Sequence, residues 1–357
     1  MPGCVRANRM EIGMAVVSES SKVMLRSPGA FAAAIPALVG FHPSHSLVAV
    51  YLGKGQAIVS MRLDLPEKLE EVAEYVASTG TNVDAEEVIL VVCTVNDGEE
   101  LPHREGIAAI ITACSSASVT VKDAMLIDDD RYWSYLCSDT DCCPPGGTPI
   151  GSEDCVLDAE RVGLGLPVVA VSRDAVVQRY LPRPDLAPRS EIRKDAESIL
   201  LAPLGERAKQ VWDDTRMLAA NADVVGDPVS NLMRSRVQVA MEDVRVRDFV
   251  MASMALTEEP AEALVDVIVQ AALTAPEDLR PRVAGAAAFL LAAFGESSIA
   301  TVCLLELAEG QSLAELVRVS VNSAVSPTAM RDVLRSSMPI IEEQLAAATP
   351  KPQRRRG

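Results

Sequence analysis

Apolar and polar positions alternate with two different periods along the chain, and the change of period divides it. SLVAVYL, from Ser46 to Leu52, is a short continuous apolar run with β-branched members, and AIVSMRLDL follows after Gly53-Lys54-Gly55. Two such runs joined by a glycine-rich turn predict a β-hairpin. Pro66 closes the second run, and beyond it Leu69, Val72, Tyr75 and Val76 fall at three- and four-residue steps, one face of a helix. EEVILVVCTV is a further buried strand, IAAIITACSSAS a helix, VTVKDAMLI a strand, and RYWSYL, after the polar turn Asp128 to Asp130, another. Upstream, Ser27-Pro28 starts a short helix, FAAAI, expected to stop at Pro36.

Strands that alternate with helices require a sheet that is parallel in part, and the hairpins make it mixed. After Ser190 nearly every segment has helical spacing, with breaks at Asp227-Pro228, Glu259-Pro260, Ala275-Pro276, Gly295, Gly310 and Ser326-Pro327. Helices between such breaks pack as hairpins. The fold class expected is therefore an α/β mixed-sheet N-terminal domain followed by an all-α helical-hairpin domain. Residues 1–22 lack periodicity and are expected to fray. The α/β domain then covers 23–181, and a linker with Pro182, Pro184 and Pro188 covers 182–190. Helical hairpins fill 191–349, and a basic tail, KPQRRRG, lies within 350–357.

Composition narrows the partners. A formal charge of −17 and a pI near 4.7 repel phosphate backbones and anionic lipid, so neither nucleic acid nor membrane is expected. The longest apolar run, Val283 to Phe294, stops at Gly295 and Glu296, short of the roughly 20 helical residues a bilayer requires. Eight cysteines in 357 residues make no dense disulfide framework, and the N-terminus has no apolar stretch of signal-peptide length. Reduced thiols in the cytoplasm are the expectation.

Candidate chemistry concentrates in RYWSYLCSDTDCCPPGGTPI, Arg131 to Ile150, where a strand must give way to a sharp turn at the prolines and glycines. Trp133 and Tyr135 could line a ligand site there. Cys137, Cys142 and Cys143, with Cys155 further on, could hold a tetrahedral zinc ion. Adjacent cysteines seldom face one metal, however, and zinc sites usually present pairs two to four residues apart. A redox pair of Cys137 with Cys142 or Cys143 is the second option. The reading preferred is that these thiols are small buried hydrophobes wedging the turn against the sheet, with no cofactor. A thiol nucleophile would need a base, and only His42, His45 and His103 exist. His42 and His45 flank the first strand's start, which could lie near the cysteine loop. Asp139 and Asp141 lack the glycine and glutamate of a calcium loop, and Gly163 to Pro167 lacks the third glycine of a dinucleotide fingerprint. Arg62 with Asp64, Arg173 with Asp174, and Arg245 and Arg247 with Asp248 place arginine beside carboxylate in apolar segments. Each is expected to have an ion-pair partner, or to bind an anion.

Several of these pieces together resemble one family. SPGAFAAAIPALVGFHPSHSLVAVYL, Arg62 to Pro66, YWSYLCSDTDCCPPGGTPI, Val171 to Ala175 and VRVRDFV from Val244 to Val250 are similar to the actinobacterial domain-of-unknown-function 4192 family. The likeness runs from about Ser27 to Met338, and its most specific block is Cys-Cys-Pro…Gly-Thr-Pro. Ala30 and His42 stand where that pattern favours an acid and an arginine. The resemblance implies extent and fold but supplies no activity. No complete catalytic constellation assembles from the residues, so a binding or regulatory module, with a protein partner or small ligand, is the reading chosen. The alternative is an enzyme or metal-binding protein that uses the Cys137, Cys142 and Cys143 loop.

Overall fold

The computed structural model describes residues 11–13, 25–98, 100–163, 168–220, 227–294, 298–323 and 325–348. The remainder of the N-terminal 22 residues, most of the Gly163 to Pro167 motif and the basic tail lie outside them. The chain forms two compact units. One is Met1–Val177 with Glu296–Ile299 and Val321–Ser326; the other is Gln178–Gly295 with Ala300–Ser320 and Pro327–Gly357.

The first unit contains, in chain order, β1 (Glu11–Gly13), α1 (Pro28–Val39), β2 (Ser46–Gly53), β3 (Gln56–Asp64), α2 (Ala73–Asn82) and β4 (Glu87–Cys93). It continues with α3 (Arg104–Ser116), β5 (Thr120–Asp128), β6 (Arg131–Ser134), β7 (Thr148–Pro149), α4 (Val156–Gly163) and α5 (Arg173–Arg179). Seven strands make one mixed sheet in the order β1-β3-β2-β4-β5-β6-β7. Among the described strands only β4 and β5 run parallel, and α3 is the crossover that parallel neighbours require. The apolar runs are continuous because both faces of the sheet are covered. Leu47, Ala49 and Tyr51 on β2 share a core with Val88, Leu90 and Val92 on β4 and with Val76 of α2 and Ile107 and Ile110 of α3. Val48 and Val50 face the other way and are equally buried. On that side Ser60 Oγ donates 2.9 Å to the Leu38 carbonyl of α1.

Two local expectations change. Helix α1 does not stop at Pro36 but continues to Val39, where Gly40, at φ 91°, ends it by donating its N–H to the Pro36 carbonyl. Proline's fixed φ is itself helical, so it forfeits one backbone donor without forcing a stop. Glu11–Gly13, within the segment expected to fray, pairs antiparallel with β3 as an edge strand.

The second unit is helical: α6 (Ser190–Glu197), α7 (Leu204–Ala220), α8 (Pro228–Ala240), α9 (Val244–Leu256), α10 (Ala261–Leu273), α11 (Arg280–Phe294), α12 (Ser298–Leu307), α13 (Ser312–Asn322) and α14 (Pro327–Ala347). Consecutive helices α7 and α8, and α10 and α11, pack as hairpins, whereas α14 lies chiefly against α9 and α11. Arg335 and Arg331 on α14 donate to the Ala255 and Ala293 carbonyls, filling acceptors that the C-terminal turns of α9 and α11 leave open. The proline-rich stretch 182–190 contains a short turn at Pro184–Leu186 and is tied down by the Arg183 N–H, 2.7 Å from the Leu273 carbonyl. No described helix is long and apolar enough to cross a membrane.

Candidate thiol centre

The site is built on β6, the strand that brings Trp133 opposite Leu126 and Tyr132 opposite Ile127 of β5. The chain leaves the sheet after Ser134 and returns as β7, where Thr148 pairs with Tyr132. Everything between is a loop whose two ends are fixed by the same strand. At the outgoing end, Ser134 Oγ accepts the N–H groups of Leu136 and Cys137, both at 3.1 Å. Tyr135 is locked by its N–H to Ala124, 2.8 Å, and by its buried hydroxyl, which donates 2.7 Å to the Pro102 carbonyl. At the returning end, Arg131 donates to the Gly146 and Gly147 carbonyls at 2.9 and 3.0 Å, and the Trp133 indole N–H donates 2.9 Å to the Pro145 carbonyl.

Between these anchors Asp139 organises the turn. Its carboxylate accepts the Asp141 N–H at 2.9 Å, and its carbonyl accepts the Cys143 N–H at 2.7 Å. The Asp139 and Asp141 pair is thus a turn device rather than the start of a calcium loop. The bond to Cys143 curls the chain, and the thiol sulfurs of Cys137, Cys142 and Cys143 all come within 4.8 Å of one another. Adjacent cysteines point to opposite faces only in extended backbone. Inside a turn that rule lapses, which is why the sequence argument against a shared focus does not hold here.

The wedge expectation also fails on exposure. Cys142 is exposed and Cys137 and Cys143 are half-buried, whereas the thiols that are buried are Cys93 and Cys114, elsewhere in the sheet layer. Arg131 and Trp133 hold the proline turn instead. Cys155 does not join the three sulfurs: it is exposed, with its thiol 3.8 Å from the Gly151 carbonyl. No disulfide links the described cysteines.

Electrostatics differentiate the cluster. The Cys143 thiol beside it, and then the Asp139 backbone, hold the Cys137 thiol below its ordinary value. Burial, reinforced by the neighbouring Cys137 and Cys142, pushes Cys143 up to about 12. One proton thus leaves easily, and the next is costly unless a cation neutralises the sulfurs. Burial likewise raises Cys93 to about 12 and Cys114 to about 11.

None of the histidines belongs to the sulfur cluster. His45 precedes β2, and the sheet order puts β4 and β5 between β2 and β6, roughly 14 Å at ordinary strand spacing. The His103 imidazole has its pKa lowered by burial and then by the neighbouring His45, so those two sense each other. Pro102, next to His103, accepts the Tyr135 hydroxyl at the outgoing end of the loop, but no imidazole joins the three sulfurs. Among the described residues, the one group of three or more metal-ligating side chains is the thiol trio.

The remaining candidates are separate. Arg62 is buried, donates from Nε to Ser46 Oγ at 2.9 Å, meets Asp64 at 2.5 Å and stacks 5.9 Å from the Phe41 ring centroid. Arg247 pairs with Asp248 at 2.7 Å, Arg245 pairs with Asp243, and Arg173 opens α5. Trp133 and Tyr135, read as ligand-lining residues, spend their polar atoms on holding the loop. Sequence reasoning named Gly147 as a turn residue but passed over Arg131 and Ser134, and also Asp154, whose carboxylate accepts from Ser27 Oγ and the Gly151 N–H, each at 3.1 Å. The readable signal was a hydroxyl three residues before a cysteine.

Residues 28–328 match the model of a family described as Domain of unknown function (DUF4192), and the chain belongs to that family. No curated protein and no solved structure matches it.

Proposed function

We propose that this member of the DUF4192 family is a binding and regulatory module built around a soft-metal centre. Cys137, Cys142 and Cys143 are the thiolate ligands of a zinc ion in that reading, and solvent takes the fourth position. The observation that carries it is the convergence of three sulfurs within 4.8 Å. Zinc–sulfur bonds of about 2.3 Å in tetrahedral geometry set sulfurs about 3.8 Å apart, so the loop has about an ångström at most to close. Ser134, Asp139, Trp133 and Arg131 hold the loop through backbone atoms, and the Cys137 thiol meets the Asp139 carbonyl at 3.9 Å, a weak contact that a metal would replace. The Asp139 and Asp141 carboxylates add local negative charge that favours a cation.

Binding is favoured over turnover. An open fourth position suits a catalytic zinc, but catalysis also needs a base in reach of the bound water. No imidazole joins the sulfurs among the described residues, and the nearby Asp139 carboxylate is engaged by the Asp141 N–H. Thiolate ligation needs reduced sulfur, so the proposal places the chain in a reducing compartment such as the cytoplasm. A protein partner held on the helical unit belongs to the same proposal.

The test is metal analysis of the full chain purified without chelator. About one equivalent of zinc is expected, retained by Cys155→Ser and lost from Cys137→Ser. A chain that carries no zinc and takes up none on titration overturns the proposal.

A further inference from the structure

The geometry points to Cys142 as an oxidation site for hydroperoxides, with Cys137 as the resolving thiol, so that a disulfide between them expels the metal. This rests on the reading of the loop as a metal centre and adds its control. Three observations lead to it: the sulfurs are already clustered, their exposures differ, and two of them belong to adjacent residues.

Exposure selects the residue that meets the oxidant. Cys142 is the exposed member of the trio, and accessible thiolates are the ones that hydroperoxides reach. Chain geometry selects its partner. Adjacent α-carbons are about 3.8 Å apart, below the roughly 4.4–6.8 Å that ordinary disulfides span, so Cys142 and Cys143 do not close on each other without distortion. Cys137 has no such bar, because the turn closed by Asp139 and Cys143 folds the intervening residues back and brings its sulfur within 4.8 Å of that of Cys142. Cys155 is also exposed but stands outside the cluster, so exposure without a neighbour is represented in the same molecule.

The chemistry balances with a hydroperoxide as the only co-reactant. The Cys142 thiolate attacks the terminal oxygen; a sulfur–oxygen bond forms as the oxygen–oxygen bond breaks, and the departing oxygen takes a proton and leaves as water or an alcohol. Cys142 is then a sulfenic acid, its sulfur oxidised by two electrons. The Cys137 thiol, losing its proton, attacks that sulfur; a sulfur–sulfur bond forms, the sulfur–oxygen bond breaks, and hydroxide departs with the released proton as water. Two thiols and one hydroperoxide give one disulfide, one alcohol or water and one water. Cys143 alone remains as a possible ligand, too few to keep zinc. A dithiol reductant reverses the step.

The experiment uses the full chain loaded with zinc and titrated with hydrogen peroxide. Released zinc is read with a chromogenic chelator, and disulfides are mapped by mass spectrometry after alkylation. The expected result is a Cys137–Cys142 crosslink that grows in step with zinc release, while the buried Cys93 and Cys114 stay reduced. In Cys137→Ser, refolding intact or not, a Cys142 sulfenic acid should be trapped by a cyclic dione in place of the crosslink. Zinc that binds and is released with Cys142 still reduced, or a crosslink between other residues, overturns the oxidation site and leaves the metal centre standing. A chain that takes up no zinc overturns the metal centre and the switch with it, even where the crosslink forms.

Discussion

The Trp133 indole occupies the space that a side chain on Gly147 would fill: a Cβ built there would lie 2.5 Å from Cε2 and Cζ2 of the ring. Gly147 also sits at φ 75°, in the left-handed region. Two independent demands thus meet at one residue, and both serve the return of the loop onto β6. Gly147→Ala should cost about 2–4 kcal/mol of loop stability, from backbone strain and overpacking together. Hydrogen exchange across residues 135–150 checks this, with lost protection expected there and little change in β2 and β4. Gly146, where a Cβ would meet nothing within 4 Å, is the matched control and should tolerate alanine.

Trp133→Phe keeps an aromatic ring against Gly147 but removes the 2.9 Å bond to the Pro145 carbonyl. A net loss of about 1 kcal/mol is expected, the ordinary worth of one hydrogen bond. Chemical denaturation followed by tyrosine fluorescence would measure it. A loss several times larger would mean that the indole fills space the smaller ring cannot.

The thiols should alkylate in a set order as pH rises. Cys137 has its pKa lowered, so its thiolate is present at lower pH than in a free cysteine, whereas Cys143 stays protonated until about pH 12. In metal-free chain at mildly alkaline pH, iodoacetamide should label Cys137 well before Cys143. Cys93 and Cys114, raised to about 12 and about 11 by burial, should react only on unfolding. Peptide mass spectrometry at timed quenches gives the order directly. Zinc should protect Cys137 and leave the Cys155 rate unchanged.

Much of the sheet was legible because its residues obey one rule at a time. Leu47 to Leu52 reads as a buried strand since both of its faces are covered, and the Gly53-Lys54-Gly55 turn follows from glycine's backbone freedom. Glu11–Gly13 was not legible, because three residues pairing at an edge carry no periodicity. Pro36 misled because a proline stop and a proline inside a helix look alike until Gly40 supplies the real end. At the site, the sulfur-bearing loop was found, but its geometry was not. The convergence of Cys142 and Cys143 on Cys137 depends on one backbone bond, from Cys143 N–H to Asp139, that residue types do not announce. Trp133 and Tyr135 were read as ligand contacts because aromatic side chains with polar tips suit that role equally well.

In the helical unit, the ion pair of Asp214 and Arg236 predicts an asymmetry. Asp214 on α7 is 1% exposed and accepts from Arg236 at 2.8 and 3.0 Å and from Gln210 at 3.0 Å, while the Arg236 side chain keeps 24% of its surface in solvent. Burial raises the Asp214 pKa despite these donors, so the site itself disfavours the charge. Removing the arginine strands a buried carboxylate and should cost about 3–5 kcal/mol. Removing the carboxylate leaves a guanidinium that already reaches water, so Asp214→Asn should cost about 1 kcal/mol. The pH dependence follows with the same sign. A carboxyl whose folded pKa lies above its unfolded value favours folding at low pH, and that contribution fades as pH rises through the folded pKa. Arg236→Ala should therefore recover stability relative to the parent as pH falls and Asp214 takes up its proton, and Arg236→Ala with Asp214→Asn should lose that pH dependence. Urea denaturation across the acid range separates the cases, and equal losses for the two single variants would refute the asymmetry.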